Sequence, residues 1–162
     1  MEFVKFRDLP RSTRVSFRLA MNFDNPVDRA MMEAHEWETC SALEVSRNLS
    51  TYQIFIQESR GEFTVAKEQN IVFQTGWFSD RAATYLAAGR PVLNQDTGFG
   101  QTLPTGAGLF SFRKPSDCVE ALEAIEADYA RHSNAAREIA HGFFDYNSVL
   151  PPLLAQAGLG NA

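Results

Sequence analysis

Strand-like and helix-like segments alternate along most of this chain, and that alternation constrains the fold more than any other feature. Val15 to Phe23 reads as a first strand, in which Val15, Phe17, Leu19 and Met21 recur at the two-residue period. Asn25 then offers a helix cap and Pro26 suits a first helical position, after which Val27, Ala30, Met31 and Ala34 fall on one helical face. The same succession continues. Thr39 to Val45 reads as a second strand, and Leu49 to Glu58 as an amphipathic helix capped by Asn48 or Ser50. Glu62 to Ala66 reads as a short third strand, and Asn70 to Gln74 as an extended connection. Ser79 caps a helix through Ala88, Gly89-Arg90-Pro91 ends it, and Pro91 to Gln95 supplies a further strand. Asp96 to Gly108 is a glycine-rich loop before a last strand, Leu109 to Phe112. From Ser116 a long helical pattern carries Val119, Leu122, Ile125, Tyr129, Ala136, Ile139 and Phe143, with a break expected near Ser133-Asn134. Asn147 to Ala157 forms a final helical segment containing Pro151 and Pro152.

Parallel strands require crossover connections, so this order predicts an α/β sandwich with a largely parallel sheet and at least four parallel strands. In open sheets of this kind ligands bind beyond the carboxyl ends of the strands, where the strand order reverses. That rule selects residues 22–25, 45–47, 66–68 and 94–100 as candidate binding segments. With 162 residues a single domain buries roughly 70% of its unfolded surface without metal or disulfide support. One domain spanning residues 1–162 is therefore expected, with 145–162 as a C-terminal extension.

Charge and cysteine usage narrow the function. Fifteen basic against twenty acidic residues leave a net charge of −5, and no basic cluster offsets it, so nucleic-acid binding is disfavoured. Cys40 and Cys118 stand far apart, which suits a reducing cytoplasm rather than a disulfide scaffold. Charged residues interrupt the N-terminus, and no run approaches the roughly 18 apolar residues of a membrane span. A cytoplasmic protein with no membrane span is the expectation.

The chemical motifs are sparse. His35, His132 and His141 are isolated, and HExxH, paired cysteines and Asp-x-Asp are all absent, so no metal or other cofactor is implied. GxSxG, GxGxxG and the Walker lysine loop are absent too, and no catalytic residue can be assigned. What remains is Thr75-Gly76-Trp77-Phe78-Ser79-Asp80-Arg81, a glycine loop entering a helix, followed by Asp96-Thr97-Gly98-Phe99-Gly100. Such loops aim backbone N–H groups at a helix start, which favours a phosphate or diphosphate, although any capped helix has the same polar end. Trp77 and Phe78 are read either as core or as stacking surfaces, and Tyr129, Phe143 and Phe144 as core or as an apolar face.

The order of these motifs carries a likeness. Gly61 to Phe112, "GEFTVAKEQNIVFQTGWFSDRAATYLAAGRPVLNQDTGFGQTLPTGAGLFSF", followed by "EALEAIEADYARHSNAAREIA", resembles the C-terminal, donor-binding domain of GT-B-fold glycosyltransferases. In that family a strand leads through a Gly-aromatic loop to a helix ending in A-x-G-x-P-V-V, then to a strand, a glycine loop and a short G-x-L-F strand. The resemblance implies a Rossmann-like three-layer sandwich that binds a nucleotide-sugar donor. It places Lys67, Gly76, Trp77, Ser79, Arg81, Thr84, Asp96, Thr97 and Gly98 around the donor, with Lys67 and Arg81 beside its phosphates. Thr84 stands where many members carry a ribose-binding Glu, and the early G-R-L…K-G segment is not found. The family closes two such domains around its substrates, so the resemblance also implies a chain inactive alone and dependent on an acceptor-domain protein or a dimer mate. A non-catalytic nucleotide-binding module and a homodimeric interaction module are the alternatives.

Overall fold

The computed structural model describes residues 2–159; residue 1 and residues 160–162, the end of the expected C-terminal extension, lie outside them. The chain is α/β. Its elements run β1 (Phe17–Ala20), α1 (Pro26–Ala34), β2 (Trp37–Cys40), α2 (Ala42–Val45), α3 (Leu49–Glu58), β3 (Glu62–Thr64), α4 (Glu68–Val72) and α5 (Asp80–Ala87). Then follow β4 (Val92–Gln95), β5 (Leu109–Phe112), α6 (Pro115–Ala127), α7 (Tyr129–Phe144) and α8 (Tyr146–Gln156). Short 3-10 helices occupy Glu2–Phe6, Pro10–Ser12 and Phe99–Gln101.

All five strands pair in parallel, as the crossovers require, but they form two sheets rather than one. β1 pairs with β2, Phe17 opposite Trp37. β3, β4 and β5 lie side by side in chain order, Glu62 opposite Val92 and Val92 opposite Leu109. No reversal of strand order therefore occurs inside the larger sheet, and the rule that locates ligands at such a reversal has no purchase there.

Packing on the larger sheet explains its position. Every residue of β4 is buried, the signature of a strand covered on both faces. Val92 and Leu109 face one core with Ile56, Ala82, Leu86, Ala136 and Ile139 from α3, α5 and α7. Leu93 and Phe112 face a second core with Phe6, Met32, Cys118 and Ile125, from the N-terminal 3-10 helix, α1 and α6. This gives helix, sheet and helix layers, and each fully buried Leu or Phe contributes about 1.5–3 kcal/mol. Gly108 lets β5 approach α7: its φ is +73°, and a Cβ there would lie 2.4 Å from the Ala136 nitrogen.

Four local expectations change. Asn70 to Gln74 is not an extended connection, because α4 occupies Glu68–Val72, and its last turn is followed by Gln74 at a φ of 47°. The second strand ends at Cys40, since Ser41 accepts a hydrogen bond from the Glu44 nitrogen and starts α2. The long helix breaks at Asp128, not at Ser133-Asn134. Asp128 has a φ of −149°, and its carboxylate caps α7 through the Arg131 nitrogen at 3.1 Å. The first strand shrinks to Phe17–Ala20. Among the described residues no helix is long and apolar enough to cross a membrane.

Candidate functional site

The carboxyl end of β4 opens into the loop 96–100, and main-chain bonds tie that loop to the one before α5. Asp96 donates its N–H to the Phe112 carbonyl at 2.8 Å, and its Oδ1 accepts from the Gly98 nitrogen at 2.9 Å. Gly98 adopts a φ of +89°, which turns the chain back beneath Gln74. Thr97 is fully buried; its Oγ1 donates to the Trp77 carbonyl at 2.6 Å, and its own carbonyl accepts from the Gly76 nitrogen at 2.7 Å. Gly76, Trp77, Ser79, Asp96, Thr97 and Gly98 are thus brought to one edge of the sheet.

Within that edge the two aromatic residues part company. Phe78 packs on Phe99 and stacks on Phe144 with ring centroids 5.6 Å apart, whereas Trp77 stays 38% exposed. The start of α5 is closed by its own residues, because the Arg81 nitrogen donates to Ser79 Oγ at 3.2 Å and to Asp80 Oδ1 at 2.8 Å. Asp96 is engaged by Arg113 at 2.7 Å. Thr84 is exposed and donates to the Asp80 carbonyl at 3.0 Å. Lys67 occupies the N-cap position of α4 with its side chain exposed and not used in capping.

Arg81 leaves this edge. Its guanidinium pairs with Glu62 and donates to Thr64 Oγ1 at 3.2 Å. Burial alone would lower the affinity of Arg81 for its proton, but the adjoining Glu62 carboxylate outweighs it and raises the value further. Glu62 Oε1 also accepts from Thr64 Oγ1 at 2.9 Å, while its Oε2 is buried without a partner among the described residues. Tyr52 and Tyr85 stand in the same charged surroundings, and burial holds both phenols above the ordinary tyrosine range.

This second cluster lines a cleft of about 1320 Å³, which holds only Arg81 of the residues expected around the donor but also reaches Asn22, Phe23 and Asp24 and Val45 and Ser46 of the binding segments expected at the strand ends. Glu62, Thr64, Tyr52 and Tyr85 were not singled out from sequence. Their signal was present in Gly61-Glu62-Phe63-Thr64-Val65: the polar residues sit at i and i+2, on the face of β3 opposite to Phe63 and Val65. Among the described residues no group of His, Cys, Asp or Glu is arranged to hold a metal ion. No family model matches this sequence, and no curated protein or solved structure matches it either.

Proposed function

We propose that this chain is a glycosyltransferase-like module that binds a nucleotide-sugar donor at the edge formed by residues 67–81 and 96–100, without a metal, and transfers no sugar by itself. The observation that supports this reading is the stitching of the Gly76 and Gly98 loops, through Thr97, at the carboxyl end of the buried central strand. The half-exposed Trp77 offers a plane for a base or sugar to stack on. Binding is weak in this reading. Arg81 is committed to Glu62, so the phosphates meet Lys67 as their cation, and Thr84 offers no carboxylate to a ribose. Transfer also needs a proton acceptor; of the three carboxylates at the edge, Asp80 and Asp96 are engaged by the start of α5 and by Arg113, and Glu68 sits in the first turn of α4.

Calorimetry with uridine, guanosine and thymidine diphosphates at millimolar concentration, without Mg²⁺, tests the proposal. Binding heat is expected, and Gly76→Pro, which deletes the bond to Thr97 and the positive φ, abolishes it. Silence across the panel with folded protein refutes it. A second reading, a homodimeric interaction module, is favoured by α8, which carries no charged residue and leaves Val149, Leu150, Leu153 and Leu154 exposed. Light scattering of the wild type and of Leu153→Asp separates the two readings.

A further inference from the structure

The residues around the 1320 Å³ cleft are consecutive in two places, through β1 and its flanks and from Glu58 to Val65. Neighbours along a strand point to opposite faces, so a cavity that touches all of them is bounded by the strand edges, not by one sheet face. Among the described residues β1 pairs only with β2, and β3 only with β4. The direction of their free groups follows from the ladders. The Met21 nitrogen donates to Cys40, which turns the main chain of residues 17, 19 and 21 toward β2 and that of Arg18 and Ala20 toward the cleft. The Glu62 nitrogen donates to Pro91, which turns Glu62 and Thr64 toward β4 and Phe63 and Val65 toward the cleft. Two strand edges with unused donors and acceptors therefore face each other.

Aromatic residues close the core side of this gap. Phe17 on β1 and Phe63 on β3 have ring centroids 5.9 Å apart with no ladder between their strands among the described residues, and Phe63 stacks on Phe112 of β5 at 5.1 Å. The cleft of about 1320 Å³, lined by β1 and by residues 58–65, lies between the two edges.

We infer that the cleft is a strand-acceptor site, into which an extended basic peptide of a partner inserts between β1 and β3 and joins the two sheets into one of six strands. One guest strand satisfies both edges at once, whereas an added sheet edge would satisfy only one. The two walls set its side chains. Residues on one face of the guest meet Phe17, Phe63, Val65 and Leu122, so they are apolar; those on the other meet Arg18, Glu62, Thr64 and Tyr52, so they are polar. The charge is set by what stays unpaired. Arg18 with Glu38, Arg60 with Glu126 and Arg81 with Glu62 cancel, and among the described residues Asp24, Asp28 and Glu58 line the cleft without an ion-pair partner against Arg14 alone. An acidic excess selects lysine or arginine at the polar positions.

Amide hydrogen exchange on the full chain tests this, independently of the nucleotide titration, because the diphosphate loops are not part of the cleft. The probes are an acetylated, amidated heptapeptide of alternating valine and lysine, its valine–glutamate counterpart, and the first peptide N-methylated at every valine. The valine–lysine peptide is expected to slow exchange at Arg18, Ala20, Phe63 and Val65 by about tenfold or more, with the other two giving less than about twofold. Val65→Pro removes an edge donor without touching the β4 ladder, so the fold survives and the protection of β3 is lost; Ala20→Pro does the same from β1. Equal protection by the N-methylated peptide, protection by none of them, or slow exchange at these four amides before any peptide is added, which would mean that β1 and β3 pair directly, overturns the inference.

Discussion

Replacing Arg81 by Met removes the only cation among the described residues that pairs with Glu62, a carboxylate whose side chain is 5% exposed, and keeps the aliphatic stem that packs beside β3. Breaking a fully buried ion pair costs about 3–5 kcal/mol, because the remaining charge stays desolvated. The Arg81 side chain is itself 51% exposed, so solvent already screens part of the attraction, and an expected loss of about 2 kcal/mol follows. In urea, with a slope of about 2 kcal/mol per molar, the unfolding midpoint moves down by about 1 M. Glu62→Gln removes the charge instead of stranding it, and a loss of about 1 kcal/mol or less is expected. The double substitution then costs less than the sum of the singles by about 1 kcal/mol or more, since the introduced methionine no longer faces a stranded carboxylate. Additive losses, or an Arg81→Met loss below about 0.5 kcal/mol, would refute the structural role assigned to this pair. Diphosphate heats unchanged in Arg81→Met would in addition keep Arg81 out of phosphate binding.

Gly108→Ala forces a side chain into a φ of +73° and a Cβ against the α7 backbone, so a loss of about 3 kcal/mol and a melting temperature lower by about 10 °C are expected by calorimetry. Cys118, its thiol pushed up to about 12 by burial, resists iodoacetamide at pH 8 until urea unfolds the chain, while the half-buried Cys40 reacts in the native state, as peptide mass mapping will show. Because the unfolded thiol titrates near 9.0 and the folded one near 12, the native state holds the extra proton between them. Stability therefore falls as pH rises through that window, at about 1.4 kcal/mol per unit, and Cys118→Ala flattens the slope.

The elements most legible in the sequence were those whose signal is local. Asn25-Pro26 before α1, Ser79 before α5 and Gly89-Arg90-Pro91 after it act through backbone geometry that needs no tertiary partner. Helix α4 was illegible for the opposite reason. Glu68–Val72 is too short to show a helical period, and its Asn70 is held from outside the helix by Thr75 Oγ1 at 3.1 Å. The break at Asp128 was misplaced because Ser133 and Asn134 look like breakers by type, yet Ser133 is buried inside α7 while Asp128 alone satisfies an orphaned N–H.

The loop edge was legible because glycine and small polar residues announce a turn whatever lies beneath it. Its cations were not. A long side chain at a helix start reads as a phosphate neighbour only if nothing nearer claims it, and what claims Arg81 is Glu62, nineteen residues earlier on a strand whose polar face is buried. That partnership follows from burial: a carboxylate on the α5-facing side of β3 is cut off from water and needs a polar partner, and Arg81 on the first turn of α5 is within reach. Nor does residue order disclose that β1 and β3 stop short of pairing, since a parallel strand looks the same from either edge. Contact between side chains does not disclose it either: Phe17 meets Trp37 at 5.1 Å on a paired strand and Phe63 at 5.9 Å across an unpaired edge, so burial of the rings is satisfied in both cases and only the backbone ladder distinguishes them. The edges of β1 and β3 are left open for a strand that this chain does not provide among its described residues.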